Sequence, residues 1–163
     1  MSRTILCGVD GSVDSRLALR AAARFSAQLD ARLVVAHVVQ TTPTTTRIGP
    51  IGGPPVLAPP IGAELEAGRK VLEHLVREEG LEDVERRVVY GFPADRLADL
   101  ADEEDAELIV VGSRGRGAFK AAFLGSVAGE LIGVARRPVL VVPPGAAHDR
   151  DSGPAGARVA AGG

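Results

Sequence analysis

The chain has 163 residues, of which 45% are apolar and 25% charged, with a net charge of −2; this composition is typical of one soluble globular domain and excludes a largely disordered chain. Scattered arginines, no tryptophan, one tyrosine and four phenylalanines provide neither the basic surface nor the stacking platforms of a nucleic-acid-binding protein. The lone Cys7 excludes an internal disulfide and a multi-cysteine metal site, and without a signal peptide or an 18-residue apolar segment we expect a cytoplasmic protein with no membrane span.

The first third of the chain predicts a strand, a helix and a second strand. An apolar run at residues 4–9 predicts the first strand, and the turn 10–12 that follows it ends in Ser12, a helix-capping residue. Residues 32–39 are almost continuously apolar, which is typical of a strand covered on both faces. Between them, residues 13–29 predict an amphipathic helix, because apolar side chains recur at every fourth position: Val13, Leu17, Ala21, Phe25 and Leu29.

Residues 41–62 form a segment rich in proline and threonine, in which neither a helix nor a central strand is expected. Its tip is unusually apolar for a loop exposed to solvent. Two interpretations stay open: the segment is a mobile linker, or it docks onto a partner subunit or over a ligand. Helical spacing resumes at residues 64–79 and ends at Gly80.

The rest of the chain continues the alternation of strands and helices. A strand is predicted at residues 84–90, and Gly91-Phe92-Pro93 then begins a helix that buries Leu97, Leu100 and Ala101. The last elements are a strand at 107–111, a helix at 126–135 and a strand at 139–142. Residues 1–144 are therefore interpreted as one domain, and the small, polar and aperiodic residues 145–163 as a disordered tail.

This alternation predicts an open α/β sheet of parallel strands. Such sheets bind ligands beyond the carboxyl ends of their strands, where the winding direction reverses. Asp10 and Gly112 both follow predicted strands. If the first and fourth strands are neighbours, the two turns therefore face one crevice.

The stretch 107–127 carries the strongest chemical signal, because an apolar strand leads into a glycine-rich turn and then a helix start. Bare backbone amides in that arrangement attract anions such as phosphate. A Walker loop is excluded, since Ala118 and not lysine follows Gly117. A Rossmann fingerprint is excluded as well, since Lys120 occupies the position of its last glycine.

The spacing that is present is Gly112-x2-Gly115-x9-Gly125-Ser126, with Val9-Asp10-Gly11-Ser12 after the first strand. This pattern resembles the ATP-binding branch of the universal stress protein family, over about residues 3–144. The resemblance implies a Rossmann-like fold of the adenine nucleotide alpha hydrolase type: five parallel strands in the order 3-2-1-4-5, with helices on both faces. It also implies a homodimer that pairs through residues 139–142.

The resemblance further implies which residues hold ATP. Gly112 and Gly115 would let the backbone approach the phosphates, and Ser113 and Arg114 would add N–H donors. Asp10 would contact the ribose or help to hold a magnesium ion. The remaining implied contacts are the β- and γ-phosphates on Gly125, Ser126 and Val127 at a helix start, the adenosine beside Gly8 and Val9, and the adenine edge on the backbone of Val38.

Simpler interpretations of the same residues stay open. Gly112 and Gly115 could form only a tight turn, and Asp10 could only cap the first helix. Arg114 and Arg116 could neutralise phosphates or merely keep a loop solvated. Ser126 is expected to be the N-cap of its helix. His37 is expected to be a buried, hydrogen-bonded core residue, and Cys7 a core residue without nucleophilic function. His74 and His148 have no neighbouring residues in the sequence that suggest a metal site.

The function that follows is an ATP-binding, dimeric stress or signalling protein with an unidentified protein partner. No general base, Walker lysine or cluster of aspartates is found in the sequence, so at most slow ATP hydrolysis is expected. One alternative is a dimeric interaction module that needs no nucleotide and recruits its partner through the apolar loop. Another is a binder of a different adenine nucleotide such as cyclic AMP.

Overall fold

The computed structural model describes residues 3–40, 61–115 and 124–145. Strands and helices alternate through these residues, as the sequence predicts. Predictions for the proline-rich segment up to residue 60, for Arg116 and for His148 lie outside the described residues, as does the tail from residue 146. The elements are β1 (Thr4–Gly8), α1 (Val13–Leu29), β2 (Arg32–Gln40), α2 (Ile61–Glu78), β3 (Glu85–Gly91), α3 (Pro93–Glu103), β4 (Leu108–Gly112), α4 (Ser126–Val134) and β5 (Val139–Val142).

The five strands form one parallel sheet in the order β3-β2-β1-β4-β5. The order implied by the resemblance is thus confirmed. Gly8 at the end of β1 lies level with Ala36 of β2 and Val111 of β4. The chain winds outward in one direction from β1 to β3 and in the other from β4 to β5, so the winding reverses between β1 and β4, where ligands of open α/β sheets bind.

Two hydrophobic clusters cover the two faces of the sheet. On one face α1 and α2 pack over Cys7 and Val35, and on the other α3 and α4 pack over Leu6 and Ile109. All four of these strand residues are fully buried or nearly so. Because successive side chains of a strand point to opposite faces of the sheet, each central strand contributes residues to both clusters. The central strands are therefore continuously apolar in sequence.

The buried face of α1 differs from the row of apolar residues that the sequence suggested. Val13 is 73% exposed and Leu29 is 43% exposed. Residues four apart on a helix are rotated by about 40°, so a long row at that spacing winds around the helix and cannot stay on one face. The side chains buried along α1 are instead mostly small, with one leucine: Asp14, Ser15, Ala18, Leu19 and Ala22.

Several element ends differ from the sequence-based bounds by one to three residues. The helix predicted to begin at residue 64 begins at Ile61, and β2 extends to Gln40. The stripe of Leu97, Leu100 and Ala101 on α3 is buried as predicted. Within the described residues, no helix has the length and apolar character needed to cross a membrane.

Candidate functional site

A cavity of about 790 Å³ lies at the carboxyl ends of β1, β2 and β4. Its walls come from the turns after β1 and β4, the end of β2, and the N-terminal parts of α2, α3 and α4. Every residue that the sequence nominated for nucleotide binding lines it: Gly8, Val9, Asp10, Val38, Gly112, Ser113, Arg114, Gly115, Gly125, Ser126 and Val127. The topology therefore brings together four segments that are far apart in the sequence.

The turn after β1 places Asp10 at the cavity and leaves helix capping to Ser12. The Ser12 hydroxyl accepts from the amide of Ser15 (3.2 Å), which is the N-cap bond of α1. Asp10 Oδ1 accepts from the amide of Ser12 (2.9 Å), and Gly11 has a φ of 80°, where glycine is favoured. The alternative that Asp10 caps α1 is therefore wrong, because Ser12 has that role.

Ser113 connects three elements around the turn after β4. Its amide donates to the carbonyl of Val142 in β5 (2.9 Å), and its carbonyl accepts from the amide of Gly125 (2.6 Å) at the start of α4. Its hydroxyl donates to Asp14 of α1 (3.0 Å). The expectation that Ser113 offers its N–H to a phosphate is thus wrong, since that donor is already bonded to β5.

The glycines of this turn are explained by contacts within the protein. A Cβ on Gly112 would lie 2.7 Å from the carbonyl carbon of Asp14, and one on Gly115 would lie 2.6 Å from Asp10 Oδ2. Neither glycine has a positive φ. Gly112 lets α1 approach β4 closely, and Gly115 makes room for the Asp10 carboxylate, so both glycines shape the turn before any contact with a ligand is considered.

Asp14 contacts the turn after β4, and the sequence did not predict this contact. Asp14 is 8% exposed, and its Oδ2 accepts from both the Ser113 hydroxyl and Arg114 Nε (3.3 Å). Arg114 therefore pairs with a protein carboxylate, which neither of the two roles considered for it had anticipated. An acidic residue in the first turn of a helix is already explained by its favourable interaction with the helix dipole. The sequence therefore gives no indication that Asp14 also has a hydrogen-bond partner 99 residues away.

The start of α4 forms the second wall of the turn. Gly125 is the N-cap residue, with no side-chain capping bond, and Ser126 is the first helical residue. The expectation that Ser126 caps the helix is wrong, because the extended backbone falls at Gly125 (φ −72°, ψ 162°). Since the Gly125 amide bonds to Ser113, the amides that the first helical turn can offer to an anion are those of Ser126, Val127 and Ala128.

His37 lies in the cavity wall at the end that β2 and α2 form. Its Nδ1 donates to the carbonyl of Val9 (2.8 Å), while the amide of Val9 donates to the carbonyl of Ala36 (2.8 Å). The predicted hydrogen bond is confirmed, but the ring is only half-buried. The sequence also missed the face of α2 that lines this end, Glu64, Ala67, Gly68 and Val71, since its spacing is that of any amphipathic helix.

Two further predictions concern reactivity and metals. Cys7 is fully buried, and burial raises the pKa of its thiol far above the ordinary value, as suits a core residue. Within residues 3–40, 61–115 and 124–145, no group of three or more His, Cys, Asp or Glu side chains could hold a metal ion by itself.

Comparisons with known proteins give one consistent family. The model of the universal stress protein family matches residues 1–143. A Thermus aquaticus protein named universal stress protein in QAH/OAS sulfhydrylase 3'region is 32% identical over 142 residues, which are 87% of this chain and 99% of that protein.

Solved structures show the same fold. The universal stress protein UspA from Lactobacillus plantarum matches with a TM-score of 0.67 at 20% identity, over 86% of this chain and 97% of that one. A universal stress protein solved in complex with cAMP matches with a TM-score of 0.54 at 30% identity, over 87% of this chain and 97% of that one.

Proposed function

Because the chain belongs to the universal stress protein family, we propose that it binds ATP with magnesium in the cavity between β1 and β4. We further propose that it acts in the cytoplasm as a homodimer whose interactions with a protein partner in stress response or signalling depend on the bound nucleotide. Catalysis is not its main activity, and ATP hydrolysis is at most slow.

The observation that carries this proposal is the bond between Gly125 and Ser113, which joins the turn after β4 to the first turn of α4 (2.6 Å). The amides of Ser126 and Val127 then stand at a helix N-terminus beside the turn 112–115, and both segments line the cavity. Backbone amides at a helix start favour phosphate groups through hydrogen bonds and the helix dipole. The cavity volume is also within the range of ordinary small-molecule sites.

Magnesium is proposed because of the charges at the phosphate end. The carboxylate of Asp10 lies against Gly115, and the guanidinium of Arg114 is paired with Asp14. A triphosphate placed there would bring several negative charges beside a carboxylate, and a divalent cation shared between Asp10 and phosphate oxygens would relieve the repulsion. Such an ion would take its remaining ligands from water.

The opposite end of the cavity suits a nucleoside. The aliphatic residues Val38, Val39 and Val71 line it, together with His37 and Glu64. An adenine ring would lie against these apolar groups and receive hydrogen bonds at its edge from the backbone of β2. Gly8 and Val9, at the end of β1, would line the side of the ribose.

The homodimer is proposed through β5. This strand is at the edge of the sheet, and its residues Val139, Leu140 and Val141 are half-buried apolar side chains. An apolar edge strand invites pairing with a second copy. Sedimentation analysis of Leu140→Lys beside the wild type tests this part: we expect the variant to be monomeric, and an unchanged dimer would assign the interface to another surface.

The decisive test is isothermal titration of nucleotide-stripped protein with ATP, in the presence of magnesium and in its absence. We expect saturable binding that is tighter with magnesium. Absence of binding at millimolar ATP would overturn the proposal and favour an interaction module that needs no nucleotide.

A second ligand, cyclic AMP, is favoured by the 30% identical structure solved with cAMP. A cyclic monophosphate carries one negative charge and has no β- or γ-phosphate to place at the start of α4. Competition between ATP and cyclic AMP for one site distinguishes the two ligands: if cyclic AMP displaces ATP at much lower concentration, it becomes the preferred ligand.

A further inference from the structure

The Asp14 carboxylate lies behind the turn that follows β4. It accepts from the Ser113 hydroxyl (3.0 Å) and from Arg114 Nε (3.3 Å), which are the two residues between Gly112 and Gly115. The backbone of Asp14 also packs against Gly112, where a Cβ would come within 2.7 Å. One residue of α1 therefore contacts three consecutive residues of the turn.

Asp14 itself does not line the cavity, whereas Ser113 and Arg114 do. Its side chain is 10% exposed and that of Arg114 is 31% exposed. Asp14 therefore does not contact a ligand in the cavity directly, but it contacts the turn that does. A charge-assisted hydrogen bond is stronger than a neutral one and holds its donor in a defined place.

We propose that Asp14 is a positioning residue that fixes the 112–115 turn for polyphosphate binding. This inference rests on the proposed function. The Ser12 hydroxyl, at the carbonyl of Arg114 (3.5 Å), adds a weaker contact from the same helix end. With Ser113 bonded to β5, α4 and Asp14, the turn is held from three sides.

The charge balance explains why a buried carboxylate is tolerated beside a phosphate site. An unpaired anion there would repel the ligand, but Arg114 offsets the charge of Asp14. Because the Arg114 guanidinium is already paired with Asp14, affinity for phosphate depends on backbone amides held in a fixed geometry. Loss of Asp14 removes one of the three anchors of the turn, and the lower order of the turn weakens binding of the phosphates alone.

The test compares Asp14→Ala with wild type by titration with ATP and with adenosine, which lacks phosphates. Because Asp14→Ala removes the hydrogen bonds from both Ser113 and Arg114, we expect ATP affinity to fall about tenfold and adenosine affinity to stay within about twofold. The matched control is Asp95→Ala, an exposed acidic residue in the first turn of α3 that does not line the cavity; its titrations should equal those of wild type. Equal losses for ATP and adenosine, or no loss for either, would contradict the positioning role.

Two further measurements test the positioning role of Asp14 independently of the Asp14→Ala titrations. If Asp14→Ala does not fold, Ser113→Ala removes the hydroxyl from the same bond and should lower the ratio of ATP to adenosine affinity in the same direction. Amide hydrogen exchange of residues 112–115 in nucleotide-free protein should also be faster in Asp14→Ala. Unchanged exchange would overturn the role of Asp14, whereas a wild type that binds no ATP would overturn the proposed function instead.

Discussion

The amide of Gly125 donates to the carbonyl of Ser113 over 2.6 Å, which joins the start of α4 to the turn after β4. A Cβ on Gly125 would approach both the Ser113 carbonyl and the Cα of Arg114 to 3.2 Å, so the two segments are in close contact as well as bonded. The protein itself therefore holds the two walls of the proposed phosphate site together. A site that is already organised loses less entropy when a ligand binds.

Gly112→Ala is expected to destabilise the fold. The added Cβ would lie 2.7 and 2.8 Å from the backbone carbon and oxygen of Asp14, so α1 must move away from β4. Overpacking of this kind costs about 1–3 kcal/mol, which urea unfolding measures. Gly133→Ala in α4 is the control, since nothing lies within 4 Å of its Cβ, and it should be neutral or slightly stabilising. Equal stability of the two variants would contradict the tight contact.

Gly115→Ala is expected to affect the ligand more than the fold. Its Cβ would lie 2.6 Å from Asp10 Oδ2, so the carboxylate, whose Oδ1 accepts from the Ser12 amide (2.9 Å), must shift. We therefore expect a stability cost of about 1 kcal/mol and weaker binding of ATP with magnesium, because the displaced carboxylate no longer meets the cation. Titrations with and without magnesium measure this. If the variant keeps the magnesium effect of the wild type, Asp10 does not hold the ion. Gly62→Ala, with nothing within 4 Å, is the control.

His37→Ala is expected to weaken adenosine and ATP to a similar extent. The change removes the bond from Nδ1 to the Val9 carbonyl (2.8 Å) and part of the cavity wall beside Val38. The lost bond should lower the free energy of unfolding by about 1 kcal/mol. His74→Ala is the control, since His74 pairs with Glu78 on the exposed side of α2 and does not line the cavity. Unchanged adenosine affinity in His37→Ala would place the nucleoside elsewhere.

Four charged side chains link β2, β3 and the end of α3 at the other end of the sheet. Arg32 pairs with Glu85 and Glu104, and Arg87 pairs with the same two carboxylates. Hydrogen bonding to Arg87 is the main cause that lowers the pKa of Glu85 below its ordinary value, and charge interactions with Arg87 and Arg32 add to it. A carboxyl with a lowered folded-state pKa stabilises the fold above its unfolded pKa, and this contribution disappears as the pH falls through the folded value.

Glu85→Gln is therefore expected to cost stability at pH 7 and progressively less as the pH falls below about 4.3, the ordinary glutamate value. Urea unfolding of both proteins across this pH range measures the difference, which added salt should reduce. Glu130→Gln, at an exposed position on α4, is the control. A difference between wild type and Glu85→Gln that is constant with pH would show that the charge of Glu85 does not contribute.

The sequence by itself determined the order of the elements, the apolar strands and the segments that carry the candidate site, because periodicity and glycine spacing are local properties. Only the tertiary structure decided the partners: Asp14 for Ser113 and Arg114, Gly125 as the N-cap, and His37 at the cavity instead of within the core. The buried face of α1 was also decided there, and the absence of a Cβ on Gly112 lets the helix approach β4. The contacts of Asp14 join residues about 100 positions apart that meet only because β1 and β4 are neighbours, and a local sequence pattern cannot predict such a contact.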